Sequence, residues 1–490
     1  MIFISYVFLA IYCISMSCII LYSLLQFNLW RLYFKKTLTQ TPPPLTNYPL
    51  VTIQLPIYNE QYVANRLIDN IVQLDYPIDR FEIQVLDDST DDTSALIAQK
   101  VQYYQTQKIQ IVHIQRKNRT GFKAGALRDA LPQAIGAFIA IFDADFLPKA
   151  DFLKQMLPFF ENPTVGVVQG RWEHINNDYS LLTRIQALQL NVHFTIEQVG
   201  RQNGNFLLQF NGTAGLWRRT AIEDAGGWEA DTLTEDLDLS YRAQLRGWQI
   251  KYVEKVGVPS ELPVEMNGLK AQQFRWMKGG AENARKLLRK VWQQPFSIAR
   301  KIHATQHLLA SSIFLMLLFA SLSSLPLLYF FPKIAFSCVF LYLIYGSFGI
   351  FLLLILTANL KKNSRKKGFW AILFEIIALF PIFMLIMSGL CWHNAIAVWE
   401  GLWGKKSDFV RTPKYDIQVM GDAFHQKSYI PKYPPISTFV EGILSIVFFS
   451  AAVWGLKHGA TFFLLFHLNL AIGFGTICFL SIAHLKDIEI

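Results

Sequence analysis

The stretch Ile2 to Leu25 is almost uninterrupted apolar sequence. As a helix, a run of that length spans a hydrocarbon core of about 30 Å. Lipid leaves little else, because every backbone N–H and C=O must be satisfied inside the segment. Leu308 to Phe331, Ile334 to Leu360, Phe439 to Leu456 and Thr461 to Ile482 are of the same kind. Leu50 to Lys255 contains no such run. The chain therefore divides into a polar unit and helices that bracket it. With 52% hydrophobic and only 17% charged residues in 490, the composition is that of an integral, multi-pass membrane protein rather than a soluble one.

Charge orients these segments. Arg31, Lys35 and Lys36 follow the first run, so the positive-inside rule puts the N-terminus outside and the next domain in the cytosol. No basic segment precedes the run and no small-x-small site follows it, so no removable signal peptide is expected. Pro42-Pro43-Pro44 makes a stiff linker. Met266 to His307 interleaves Lys270, Arg275, Arg285, Arg289 and Lys301 with Phe274, Trp292 and Phe296, a pattern suited to the membrane interface. The loop Lys361 to Lys367 is strongly basic and expected inside. Trp370 to Trp403 carries Glu375, Pro381, His393, Asn394 and Glu400. A single crossing there would put Lys405, Lys406 and Arg411 outside, so a re-entrant or interfacial pair of helices is expected. The resulting division is 1–30 first span, 31–50 linker, 51–260 catalytic-type domain, 261–306 interface helices, 307–360 two spans, 361–437 basic loop and interfacial segment, and 438–490 final hairpin.

Within the polar unit, Val51 to Leu55, Ile83 to Leu86, Ile109 to Val112 and Phe138 to Phe142 read as strands. Helical patterns at Val63 to Leu74 and Thr93 to Val101 alternate with them, and Ser89, Thr90 and Asp92 offer N-caps. This order predicts a parallel α/β sheet, whose ligands sit at the carboxyl ends of the strands. A net charge of +10 suits an anionic partner. No basic stripe falls in a nucleic-acid motif, so nucleic acid is not expected. The five cysteines lie in apolar stretches without a Cys-x-x-Cys pair, which argues against zinc or a disulfide framework and for small buried hydrophobes.

The polar motifs fall at those strand ends. Asp143-Ala-Asp145 offers two carboxylates to a hard cation, although turns favour aspartate too. Asp87-Asp88 repeats the arrangement at an earlier strand end, as a ligand for a base or ribose or as a helix cap. Arg116, Lys117, Arg119 and Lys123 surround Gly121 and Gly125, a solvated charge run or a diphosphate cradle. Thr234-Glu235-Asp236 opens a helix. The helix dipole alone favours acids there, and either Glu235 or Asp236 suits a general base. Gln272-x-x-Arg275-Trp276 adds a guanidinium fork for a diphosphate and an indole for a sugar face.

Taken in order, Asp87-Asp88, Asp143-x-Asp145, Thr234-Glu-Asp236 and Gln272-Gln-Phe-Arg-Trp276 resemble the motif set of membrane glycosyltransferases of family two, with the last in its processive form. Gln54 to Glu60, Gln84 to Thr90, Lys123 to Leu127, Phe210 to Trp217 and Asp224 to Trp228 look most like the cellulose-synthase-like mannan and glucan synthases. The resemblance covers roughly Val51 to Gly280. It implies a nucleotide-sugar-binding glycosyltransferase A fold, mostly parallel with helices on both faces, on a transmembrane helix bundle. It implies donor contacts from Pro56, Glu60, Asp87, Asp88, Lys123, Asp143, Gln272 and Arg275. Asp143 and Asp145 would hold Mg²⁺ or Mn²⁺, with Asp236 as base beside Glu235. Asn211, Gly212 and Trp276 would meet the acceptor. Phe409, Thr412 and Lys414 match a gating segment, with Arg411 where valine is usual.

The implied activity is a processive, inverting β-hexosyltransferase. It would use UDP-glucose or GDP-mannose, extend a polysaccharide acceptor, and move the product through the bilayer. The setting would be a bacterial plasma membrane or a plant Golgi-type membrane, with room for an accessory secretion protein. The family's regulatory cyclic-dinucleotide domain is not expected in this chain. The alternatives are transfer of one sugar to a membrane lipid, and a non-catalytic nucleotide-binding transporter or scaffold.

Overall fold

The computed structural model describes residues 2–35, 42–330, 338–363, 368–419, 421–424 and 427–485. Its centre is one seven-stranded sheet: β1 (Val51–Ile57), β2 (Phe81–Asp87), β3 (Ile111–Gln115), β4 (Phe138–Ile141), β5 (Val165–His174), β6 (Gly215–Arg218) and β7 (Gln249–Ser260). The spatial order is β3-β2-β1-β4-β6-β5-β7. The first four strands run parallel, β6 runs antiparallel to both neighbours, and β5 pairs parallel with β7. Strands buried on both faces read as continuous apolar runs, and all four residues of β4 are buried. Helices cover both faces: Val51, Ile53 and Leu55 belong to one apolar cluster, whereas Ile139 and Ile141 belong to another.

Two expectations change here. Ser89 and Thr90 do not cap the helix Thr93–Thr106. Ser89 Oγ accepts from the Asn59 N–H at 2.9 Å, and the Thr90 N–H donates to Asn59 Oδ1 at 2.8 Å, so both residues tie the β1 exit to the β2 exit. Asp92 occupies the N-cap position without a side-chain capping bond, and Asp91 accepts from the Thr93 N–H instead. The cysteines are also less uniform than expected. Cys391 is buried, Cys13 and Cys478 are half-buried, and Cys18 is exposed on its helix.

Among the described residues, five helices are long and apolar enough to cross a membrane: Phe3–Tyr33, Ser312–Tyr329, Phe369–Gly389, Ile436–Lys457 and Thr461–Ala483. The helix Cys338–Asn363 adds the shorter apolar stretch Gly346–Lys361. The expected turn at 332–333 and the basic residues 365–367 lie outside the described residues. Several helix ends meet the sheet domain. Asn203 donates to the Leu32 carbonyl at 2.9 Å, Lys361 pairs with Glu254 at 3.0 Å, and the Met266 N–H donates to His484 Nδ1 at 3.1 Å.

The helix Phe369–Gly389, the first of the expected re-entrant or interfacial pair, is also a candidate span by length and composition. Its beginning is tied to the domain by the Arg184–Glu375 ion pair. The next helix, Cys391–Trp403, lies along the long helix Met266–Gln293: His393 Nε2 is 2.8 Å from the Lys270 carbonyl, and Lys278 pairs with Glu400 at 3.1 Å. The chain thus touches the α/β domain before and after this pair of helices. The described residues among 404–435 then fold back over the domain without regular secondary structure.

Candidate active site

Parallel strands deliver their carboxyl ends to one edge, and the polar motifs gather there. Asp88 follows β2, Asp143 and Asp145 follow β4, and Glu235 and Asp236 open the helix Glu235–Leu245. A cavity of about 1040 Å³ is lined by these residues and continues among membrane-type helices, where Tyr22, Phe351, Phe383 and Phe466 form its walls. Of the residues singled out in the sequence, Pro56, Glu60, Asp88, Lys123, Asp143, Asp145, Asn211, Gly212, Glu235, Asp236, Gln272, Arg275, Trp276, Phe409, Thr412 and Lys414 all line it.

Asp87 is the exception. Its carboxylate is buried, with one oxygen 2.8 Å from His113 Nε2 and the other accepting from the Ser89 N–H at 2.8 Å. Burial alone would raise its pKa, but the hydrogen bonds from His113 and Ser89 outweigh that and hold it at about 2. Asp87 therefore braces the β2 exit and does not face the cavity. Asp88 does face it, gripped by Arg116 through Nε at 2.9 Å and Nη2 at 2.5 Å.

Lys123 sits at the centre. Its Nζ lies 2.5 Å from Asp143 Oδ1, 3.0 Å from the Gly212 carbonyl and 4.0 Å from Glu235 Oε1. Burial disfavours its charge, yet Asp143 and Glu235 raise its pKa overall, so it stays an ammonium. Asp236 is pushed up to about 7, first by burial and then by the neighbouring Glu235 carboxylate. Burial raises Glu235 as well. A carboxyl that titrates near neutrality is suited to take a proton and release it again. Gly212 fits closely beneath: at φ +78°, a Cβ there would lie 3.2 Å from Asp236 Oδ2. Asn211 is fixed by Gln198, which donates to its Oδ1 at 2.7 Å.

Residues 404–419 cover the site. Phe409 stacks on Phe122 with ring centres 5.9 Å apart, and Arg275 lies 4.6 Å from the Phe409 ring. Arg275 donates to the Val410 carbonyl at 3.1 Å. Arg411 reaches Glu60 at 3.3 Å, with the Tyr429 ring 3.9 Å from its guanidinium. Burial pushes Glu60 up to about 8, with Arg411 pulling the other way. Lys414 pairs with Asp145 at 2.8 Å and donates to the Glu261 carbonyl at 2.5 Å.

The donor set suits a hard divalent cation: Asp143 and Asp145 offer carboxylate oxygens on the cavity wall, each already balanced by an ammonium. A second acidic group does not compare. Glu229, Asp231 and Asp238 lie within 4.8 Å of one another, but Lys286 Nζ is 2.6, 2.7 and 2.8 Å from them and fills the gap.

Sequence reasoning missed other lining residues. Tyr58 lay inside a motif without drawing notice, and Arg119 was read only as one member of a charge run, either solvated or cradling a diphosphate. His193 and Glu197 lie on a π-helical turn, Val192–Glu197, with His193 Nδ1 2.9 Å from Glu197. Gln26 of the first helix donates to the same carboxylate at 2.6 Å. No local spacing announces that cluster, because its members come together only when the first helix docks.

Residues 49–279 match the profile described as Glycosyltransferase like family 2. The chain is 42% identical over 251 residues to glucomannan 4-beta-mannosyltransferase 2 of Arabidopsis thaliana, covering 50% of this chain and 47% of that one. It is 43% identical over 250 residues to glucomannan 4-beta-mannosyltransferase 1 of Cyamopsis tetragonoloba, with 50% and 47% covered. The matched region thus spans about half the length of these curated relatives. Among solved structures, a mannosyltransferase from Pyrobaculum calidifontis in complex with GDP-Man and Mn²⁺ superposes with TM-score 0.53 at 21% identity, covering 81% of this chain and 99% of that one. That likeness supports the fold.

Proposed function

We propose that this protein, built around a family 2 glycosyltransferase domain at residues 49–279, is a membrane polysaccharide synthase that adds β-linked hexoses of mannan type from a nucleotide-sugar. The observation that carries this reading is the single cavity joining Asp236 and Trp276 to the walls of the helix bundle. A growing chain can occupy such a path. Curated relatives named as mannosyltransferases favour a mannose donor over glucose.

The residues divide the work. Asp236 takes the proton of the acceptor hydroxyl, whose oxygen attacks the anomeric carbon as the bond to the nucleoside diphosphate breaks. One base and no covalent nucleophile invert the anomeric centre, so an α-linked donor gives a β-linkage. Lys123 and Arg275 balance the charge that collects on the leaving diphosphate. Trp276 offers an apolar face to the acceptor ring. Asp143 and Asp145 would hold Mg²⁺ or Mn²⁺, which supplies further charge neutralisation at the diphosphate. Phe409, Thr412 and Lys414 belong to a cover that withdraws to admit the donor. The helices cross a membrane with the sheet domain on its cytosolic side.

The test is product analysis. Purified protein with Mg²⁺ or Mn²⁺ is given radiolabelled GDP-mannose and UDP-glucose separately, and products are sized before and after linkage-specific endoglycanases. A long polymer cut by a β-mannanase is expected. One sugar on an organic-extractable lipid would replace this reading with lipid glycosylation. Unaltered donor would return the protein to a binding or transport role.

A further inference from the structure

Arg119 lines the cavity, where aromatic rings and the charge of Asp88 favour its guanidinium but, among the described residues, none accepts a hydrogen bond from it. Its Cζ lies 3.4 Å from the centre of the Tyr58 ring, 4.9 Å from Phe122 and 5.9 Å from Phe409. Among the described residues its guanidinium has no hydrogen-bond or ion-pair partner, and its Nε is buried. Arg116, three positions earlier, is the contrast: its fork is fully engaged by Asp88, Asp129 and two backbone carbonyls. Arg411 is engaged too, by Glu60 and the Tyr429 ring. Among the described residues Arg119 brings to this end of the cavity a guanidinium with neither a hydrogen bond nor an ion pair, whereas Arg411 is held by its ion pair to Glu60.

The walls around it are held in unusual backbone. Asn59, directly after Tyr58, has φ 55°, and Phe122 has φ 51°. Left-handed backbone at a bulky aromatic residue is rare and concentrates at functional sites. Tyr58, Phe122 and Phe409 thereby surround a flat guanidinium with rings. A planar nucleobase has the same shape requirement, and aromatic faces accept any base. Selection must come from the hydrogen-bonding edge.

We propose that Tyr58 and, once the cover has closed again, Phe409 wall the nucleobase subsite of the donor, and that Arg119 selects guanine by donating its fork to O6 and N7. Guanine presents these two acceptors side by side, the arrangement a guanidinium matches bidentately. Uracil presents a lone O4 beside a C–H. Adenine places an amino donor beside N7, which opposes a guanidinium. The inference rests on reading the cavity as a nucleotide-sugar site, and it deepens that reading by naming the nucleotide.

The test is calorimetric binding of GDP and UDP, with Mg²⁺, to the full chain and to Arg119→Ala and Arg119→Lys. The wild type should prefer GDP by at least about tenfold. Arg119→Ala should weaken GDP about ten- to a hundredfold, the value of one bidentate pair, and leave UDP within about twofold. Arg119→Lys keeps the charge without the fork, so it should lose most of the preference. It also decides the matter if the alanine variant does not fold. Equal weakening of both nucleotides would make Arg119 a phosphate contact and overturn the proposal, as would a wild type that binds UDP as well as GDP. Nucleotide preference is read here without product length, so failure of this inference is distinct from failure of the polymer reading.

Discussion

Asp143, Asp145 and Asp236 stand on the end of a strand and the start of a helix, whereas Phe409, Arg411 and Lys414 hang from a segment without regular structure. The first group is held by main-chain geometry. The Asp143 N–H donates to Thr213 Oγ1 at 2.9 Å, and the Leu237 N–H donates to Asp236 Oδ1 at 2.8 Å. The second group is held almost wholly by side chains: a stacked ring pair and two ion pairs. The floor of the cavity is therefore preorganised and the cover is exchangeable. A donor that offers phosphates competes directly with the cover's own contacts, because Lys414 and Arg411 are anchored on the same carboxylates that line the site.

That contrast can be broken at several points. The largest effect belongs to the floor: Asp236→Asn should reduce turnover by roughly 10²–10⁴-fold while nucleotide binding measured by calorimetry is unchanged. Turnover near wild type in that variant would remove Asp236 from the chemistry.

Next is pH. Burial and Glu235 raise Asp236 to about 7, and in the proposed mechanism the deprotonated form is the base. Activity should therefore be complete above that value and fall as pH drops through it. By pH 5 the rate should be roughly a hundredfold below the plateau, about tenfold per unit. A profile flat from pH 5 to 8 would contradict this.

Gly212→Ala tests the floor's tightness. The left-handed φ of +78° and the 3.2 Å approach to Asp236 should cost about 1–2 kcal/mol in backbone strain and roughly tenfold in kcat, read from kinetics and thermal unfolding together. An unchanged kcat would mean that Asp236 is not positioned from below.

The smallest effect belongs to the cover. Lys414→Ala should raise the donor KM about three- to fivefold, with kcat nearly kept, and speed proteolysis within residues 404–419. A kcat loss as large as that of Asp236→Asn would place Lys414 in the floor instead.

The same division explains what the sequence revealed. β1, β2 and β4 were legible because strands buried on both faces are written as unbroken apolar runs, and their terminal carboxylates came with them. β5, β6 and β7 were not named. β6 is only Gly-Leu-Trp-Arg, and β5 and β7 carry glycine and charge inside the strand. Trp276 and Arg275 were readable from their spacing. Asp87 was misplaced because adjacent aspartates look alike in sequence, while the strand turns one into the core and the other into the cavity. Arg119 was read with its neighbours, as a solvated run or a diphosphate cradle, because a charge run gives no sign of which member will find no hydrogen-bond partner. The helix Phe369–Gly389 was read with the next helix as a re-entrant or interfacial pair because a single crossing would put Lys405, Lys406 and Arg411 outside, and its length and composition also allow a span. Glu375 is in fact spent on Arg184.

The central claim is that the site and the helix bundle form one path for a growing chain. It is tested most directly in sealed vesicles reconstituted with the sheet domain outward and supplied with external labelled donor and Mg²⁺ or Mn²⁺. Product is then challenged with endoglycanase before and after detergent. The account predicts a long β-linked polymer, protected until the vesicles are opened. Label confined to a single sugar on an extractable lipid, or polymer fully digested outside intact vesicles, would contradict it.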